Sequence, residues 1–222
     1  MQLSLEQIII SPGRTLLLKD ITWSCFEQLL EELGEDRASR LSYSQGQLEI
    51  MVPLAEHEYD KRIISNLVEI VLEELNQEFL PLGSTTFKNE NMVQAIEADD
   101  CFYIQHEAEV RGKKRIDLTI DPPPDLAIEI DITSRTRFDN YEKLGVLELW
   151  RYDGENLEIN VLQEGRYILS ETSTHFPHLP LREAIPRYVE YSRKVGRNAA
   201  MRAFRTWVRS CLGGGGMSLP LS

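Results

Sequence analysis

Residues 116–133, IDLTIDPPPDLAIEIDIT, constrain the fold more than any other stretch of this chain. The pattern predicts two short apolar strands joined by a rigid proline turn. Carboxylates interrupt the apolar pattern at Asp117, Asp121, Asp125, Glu129 and Asp131. Burying a carboxylate costs free energy unless it is paired, hydrogen-bonded or metal-bound. Several of them inside strands therefore point to a cation site or to chemistry.

Alternation along the second strand sets Ala127, Glu129 and Asp131 on one face and Leu126, Ile128, Ile130 and Ile132 on the other. One face packs and the other presents carboxylates. A second acidic source, Glu97-Ala-Asp-Asp100, precedes the apolar run Cys101-Phe-Tyr-Ile104. Two or three such oxygens converging at a strand end suit Mg²⁺, a hard ion that takes oxygen ligands and keeps waters. The bland alternative is a solvated acidic face. Glu56-His57-Glu58 opens a long helix, where the macrodipole alone favours acids. His57 fits a general base, a phosphate contact or a simple end residue.

The 222 residues carry 24 Lys and Arg against 36 Asp and Glu, a net charge of −12. Nonspecific nucleic-acid binding rests on Lys and Arg displacing counterions from phosphates, so an acidic chain must concentrate its positive charge or recruit metal. Arg111-Gly-Lys-Lys-Arg115 is such a concentration. Its Lys113, Lys114 and Arg115 are candidate phosphate contacts beside the acidic strands, or else a soluble hairpin tip. The three cysteines, Cys25, Cys101 and Cys211, have neither zinc nor disulfide spacing. No apolar run reaches the roughly 20 residues that span a bilayer. The first residues lack the pattern of a signal peptide, so the expected location is a reducing cytoplasm.

Helical spacing predicts helices over Trp23–Leu33, Glu56–Glu78 and Phe138–Leu144, and a terminal one over Pro186–Val208 interrupted near Gly196. Arg40–Val52 reads as a β-hairpin turning at Gln45-Gly46-Gln47. Strands are expected over Ser84–Lys88, Phe102–His106, Arg115–Ile120, Leu126–Ile132, Gly145–Tyr152, Asn156–Leu162 and Gly165–Glu171. Trp150, Tyr152, Phe204 and Trp207 are expected in the core. The order implies an α/β (α+β) fold in which a central mixed sheet is flanked by helices, with extra β-hairpins. One domain over 1–212 is expected, followed by a disordered tail over 213–222.

Several segments together resemble a known family. They are Arg40-Leu-Ser-Tyr, Gly46-Gln-Leu-Glu-Ile-Met51, Pro53-Leu-Ala-Glu-His-Glu58, Cys101-Phe-Tyr-Ile-Gln105, the run from Asp121 to Ser134, and Leu144-Gly-Val146 through Glu148-Leu-Trp-Arg-Tyr-Asp153. The chain resembles the Uma-type restriction-endonuclease family, within the PD-(D/E)XK nuclease superfamily. The resemblance implies a restriction-endonuclease-like fold and hydrolysis of DNA phosphodiester bonds with Mg²⁺ or Mn²⁺. It implies Asp99 as the first metal ligand, in Glu97-Ala98-Asp99 where the family usually shows Glu-Pro-Asp. Glu129 is the second, with His57 and Glu58 completing the site and Asp125 either a ligand or a shaper of the strand entrance. The superfamily places Lys two residues after the second acid, where this chain has Asp131. Asp131 would then assist or bind a second metal, and the positive charge would come from Lys113, Lys114, Arg135 or Lys143. A homodimer suits cutting of both strands. The rival expectation is a catalytically inactive interaction module that keeps the nuclease fold. It predicts that Asp99, Glu129 and His57 stay more than about 10 Å apart, too far for shared ligation.

Overall fold

The computed structural model describes residues 8–34, 39–89, 94–132 and 138–214. The chain opens with β1 (Thr15–Leu18) and α1 (Trp23–Leu33). Thr22 caps α1 by accepting the Cys25 N–H at 3.2 Å, and Gly34, at φ 70°, stops it. The hairpin β2 (Arg40–Ser44) and β3 (Gln47–Met51) turns at Gln45-Gly46, both at positive φ, as a two-residue turn requires. Helix α2 (Ala55–Glu74) follows, then β4 (Leu80–Pro81), β5 (Thr86–Asn89), β6 (Gln94–Glu97), β7 (Asp100–Tyr103) and the single turn α3 (Glu107–Val110). The second half holds β8 (Leu126–Ile130), α4 (Phe138–Leu144), β9 (Glu148–Tyr152), β10 (Leu157–Gln163), β11 (Arg166–Ser170), α5 (Leu181–Val195) and α6 (Arg197–Leu212).

Two sheets result. The first, in order β1-β3-β2-β6-β5, is antiparallel throughout. The hairpin expected as a decoration is thus the centre of a five-stranded sheet. The second, β11-β10-β9-β8-β7-β4, is mixed: only β8 and β9 run parallel, and α4 makes the crossover between them. This is the expected central mixed sheet. One of its faces carries Ile128, Trp150 and Tyr152 against Leu67 of α2 and Phe204 and Trp207 of α6. The other carries Ala127 and Leu149 against Tyr141 of α4. The four expected core aromatics are all buried, each side chain contributing about 1.5–3 kcal/mol of burial free energy.

Two expectations need correction. No strand forms over Arg115–Ile120. There the amides of Ile120 and Asp121 both donate to the Asp117 carbonyl, and the Asp117 carboxylate accepts from the Thr119 amide and hydroxyl. Short carboxylates outcompete a ladder by bonding their own backbone. The terminal helix starts at Leu181, five residues before Pro186, whose ring the second turn accommodates; Gly196, at φ 85°, separates α5 from α6. Gly213 and Gly214 close α6, and the rest of the expected tail lies outside the described residues, as does Arg135. Among the described residues no helix is long and apolar enough to cross a membrane.

Candidate active site

The chain passes from the first sheet to the second in two residues, Ala98 and Asp99, between β6 and β7. The antiparallel register of β7 on β8 pairs Asp100 with Ile128. One step further, the same register sets Asp99 opposite Glu129, where facing side chains meet about 4.5–5.5 Å apart at Cβ. The Ile130 amide donates to Asp99 Oδ2 at 2.8 Å and fixes the carboxylate across the strand end.

Helix α2 brings the next residues. Its first turn places the His57 ring in the interior, 1% exposed, with Nε2 2.9 Å from Asp99 Oδ2. Glu58 lies on the solvent side, 3.7 Å from His57 Nδ1, with Lys61 Nζ at 2.6 Å. Arg40, on β2 of the other sheet, reaches Glu58 at 3.2 Å, Glu97 at 3.4 Å and Asp99 Oδ1 at 3.5 Å. From α4, the Tyr141 hydroxyl donates to Glu129 Oε1.

These neighbours divide the charges. Burial disfavours a charged His57, but the Asp99 and Glu58 carboxylates outweigh it and raise its pKa to about 9. Burial likewise opposes ionisation of Asp99, yet His57, the Ile130 amide and Arg40 hold its pKa below the usual range. Glu58 is held at about 2, chiefly by His57 and then Lys61. Glu129 goes the other way: burial, then the Asp99 carboxylate beside it, push it well above the usual range despite the Tyr141 hydroxyl. The two facing carboxyls are thus driven apart in acidity, Asp99 downward and Glu129 upward, as two like charges this close must be.

Asp99, Glu129 and His57 thus converge, which the inactive-module expectation did not foresee. Glu58 joins them through His57 and Arg40. Asp131 follows Glu129 on the strand but is gripped by Arg151, whose Nε lies 2.7 Å from Oδ2 and whose NH2 contacts the same oxygen. Arg151 is the register partner of Glu129 on β9, lies 4.9 Å from the centre of the Phe138 ring, and also reaches Glu158 at 3.0 Å. Asp131, Arg151, Asp153 and Glu158 line an open cavity of about 290 Å³.

Asp125 is placed elsewhere. Four residues upstream on the same strand, it is about 13 Å from Glu129. Its Oδ2 accepts from the amides of Ile104, Gln105 and His106 at 2.7, 2.8 and 3.1 Å, and His106 Nδ1 lies 2.6 Å from Oδ1. Those bonds, three on Oδ2 and one on Oδ1, tie the carboxylate into the strand entrance. The basic knot sits at that same far end of β7 and β8, where Lys113 pairs with Asp121 while Lys114 and Arg115 are exposed. Lys143 is exposed on α4.

Sequence reasoning had not assigned Arg40, Lys61, Tyr141 or Arg151 to the site. Lys61 carried a local signal, standing one turn after His57 on the same helix. The others arrive from distant segments. Among the described residues no group of three or more His, Cys, Asp and Glu side chains forms a ready metal cage. Two adjacent carboxylates suit Mg²⁺ instead, which is commonly held by one or two and completed by waters and substrate oxygens.

No curated protein matches this chain. Among solved structures it is similar to one titled "Crystal structure of a putative nuclease belonging to DUF820", from Anabaena variabilis. The two are 12% identical, with a TM-score of 0.44, over 76% of this chain and 90% of that one, a likeness too slight to carry an argument. The family model described as "Uma2: Putative restriction endonuclease" matches residues 23–193, from the first residue of α1 to near the end of α5. With well over half of its length matched, and Asp99, Glu129 and His57 inside the match, the chain belongs to the Uma2 family.

Proposed function

We propose that this protein is a nuclease that hydrolyses DNA phosphodiester bonds with Mg²⁺ or Mn²⁺ held by Asp99 and Glu129. The observation that carries this reading is the β7–β8 register, which sets the Asp99 and Glu129 carboxyls opposite each other, Asp99 held below its usual pKa range and Glu129 pushed above it. An arrangement that keeps two carboxyls this close at a cost to itself is built for a cation. Bound there, the metal would orient the phosphodiester, lower the pKa of a water and neutralise developing charge.

The chain's own residues do the positioning. Protonated His57 fixes Asp99 and, with a pKa of about 9, does not act as a base at neutral pH. Tyr141 orients Glu129. Water attacks phosphorus in line: a new P–O bond forms, one P–O ester bond breaks, the water's proton passes to solvent and the leaving oxygen takes one up. Lys114 and Arg115 add charge to a longer DNA contact at the far end of the sheet, while Asp131 is occupied by Arg151 and acts as a structural anchor. Cutting of both strands would use a homodimer, and the family and the absence of a spanning helix among the described residues suit a cytoplasmic protein.

The test is titration of chelator-treated protein with Mn²⁺ in a calorimeter, with plasmid cleavage in parallel. One ion per chain should bind, Glu129→Ala should abolish binding, and cleavage should require the metal. Neither binding nor cleavage with either ion would defeat the proposal, and would favour the inactive module.

A further inference from the structure

Arg40 differs from the other arginines paired with carboxylates. Each of those, among the described residues, has at least one contact at 3.1 Å or shorter, as Arg166 has to Glu142 and Arg193 to Asp60. Arg40 spreads over three carboxylates, at 3.2, 3.4 and 3.5 Å, and closes tightly on none. Charge-assisted N–H···O⁻ bonds normally close to about 2.7–2.9 Å. Its Nε is buried without a hydrogen-bond partner. A guanidinium has five N–H donors, and only two of Arg40's are used, one on Glu58 and one on Glu97.

An under-satisfied guanidinium beside a metal-binding carboxylate has an obvious partner. The cluster opens to solvent here: Glu58 is 44% exposed and Glu129 partly so, while the Arg40 side chain is 14% exposed. Meanwhile position 131, where the superfamily's cation would stand, holds an acid engaged with Arg151. We infer that Arg40 supplies the missing positive charge: it binds a non-bridging oxygen of the scissile phosphate and stabilises the charge that develops there. The phosphodiester completes donors that the three carboxylates leave open. This rests on the nuclease reading of the Asp99–Glu129 site. It adds that the cation comes from the five-stranded sheet, so that the two sheets together form the site.

Arg40→Gln separates a phosphate role from a structural one. Cleavage of a short duplex should fall about 10²-fold or more in kcat, the usual cost of removing one transition-state donor. Mn²⁺ affinity without DNA should stay the same or tighten, because a positive neighbour of Asp99 is gone. The salt dependence of duplex binding in Ca²⁺ should lose about one unit of slope. Arg40→Lys keeps the charge without the planar fork and should retain an intermediate rate; it also serves if the glutamine variant fails to fold. Wild-type rates in both variants overturn the inference, as does loss of Mn²⁺ affinity together with thermal stability, which would mark Arg40 as structural. A wild-type protein that neither binds Mn²⁺ nor cleaves fails at the nuclease reading itself, a result distinguishable from failure of Arg40 alone.

Discussion

Asp99 and Asp125 are both buried aspartates of the same strand pair, yet their surroundings differ. Asp125 accepts three backbone amides and one imidazole and ties down the start of the loop after β7. Asp99 accepts one amide, is held by the His57 and Arg40 cations, and faces a second carboxyl whose pKa it helps to raise. Backbone amides dominate the surroundings of Asp125, and charged side chains those of Asp99. Burial alone separates nothing, since the two are about equally inaccessible.

The contrast breaks most visibly by deleting each side. Asp125→Ala should cost about 3–5 kcal/mol in urea unfolding, because it strands buried donors. Any cleavage by the remaining folded protein should keep its metal affinity. Glu129→Gln should do the reverse: cleavage falls about 10³-fold, equivalent to several kcal/mol of lost charge stabilisation, while metal-free stability holds or rises. If Glu129→Gln instead destabilises as much as Asp125→Ala, the distinction between the two acids is wrong.

Titration sharpens the same point. His57 titrates near 6.5 when unfolded and at about 9 when folded, so the native state holds its proton more tightly. That stabilisation is complete below pH 6.5 and disappears as pH rises through 9. The raised Glu129 acts in the same sense, since its native state also retains a proton. Metal-free protein should therefore lose about 3 kcal/mol of unfolding free energy between pH 6.5 and 9, at 1.36 kcal/mol per pKa unit. In His57→Gln the decline over this window should flatten. Smaller still, Tyr141→Phe should weaken Mn²⁺ binding about tenfold, as loss of a hydrogen bond to a ligand does. Lys114→Ala should reduce the salt slope of duplex binding by about one and leave metal affinity unchanged.

What was legible in the sequence was local. The bounds of α1 and α4 follow from helical spacing of apolar residues, and the β2–β3 hairpin from alternation around a glycine turn. The first sheet's closure was hidden, because β6 returns to β2 from some fifty residues away and nothing in either segment names its partner. Alternation in IDLTI mimicked a strand, while the side-chain bonds of Asp117 and Asp121 overruled it. Asp99 and Glu129 were singled out through family resemblance, and their meeting depends on register. Arg40 stood in plain view at the start of a hairpin, but its partners lie 18, 57 and 59 positions along the chain.

The two-residue passage at Ala98-Asp99 bears on how such a protein is made. Asp99 cannot be fixed until β8 supplies the Ile130 amide, and Glu129 cannot be oriented until α4 supplies Tyr141. A chain still emerging from the ribosome therefore lacks the groups that fix Asp99 and Glu129 until β8 and α4 have both been made.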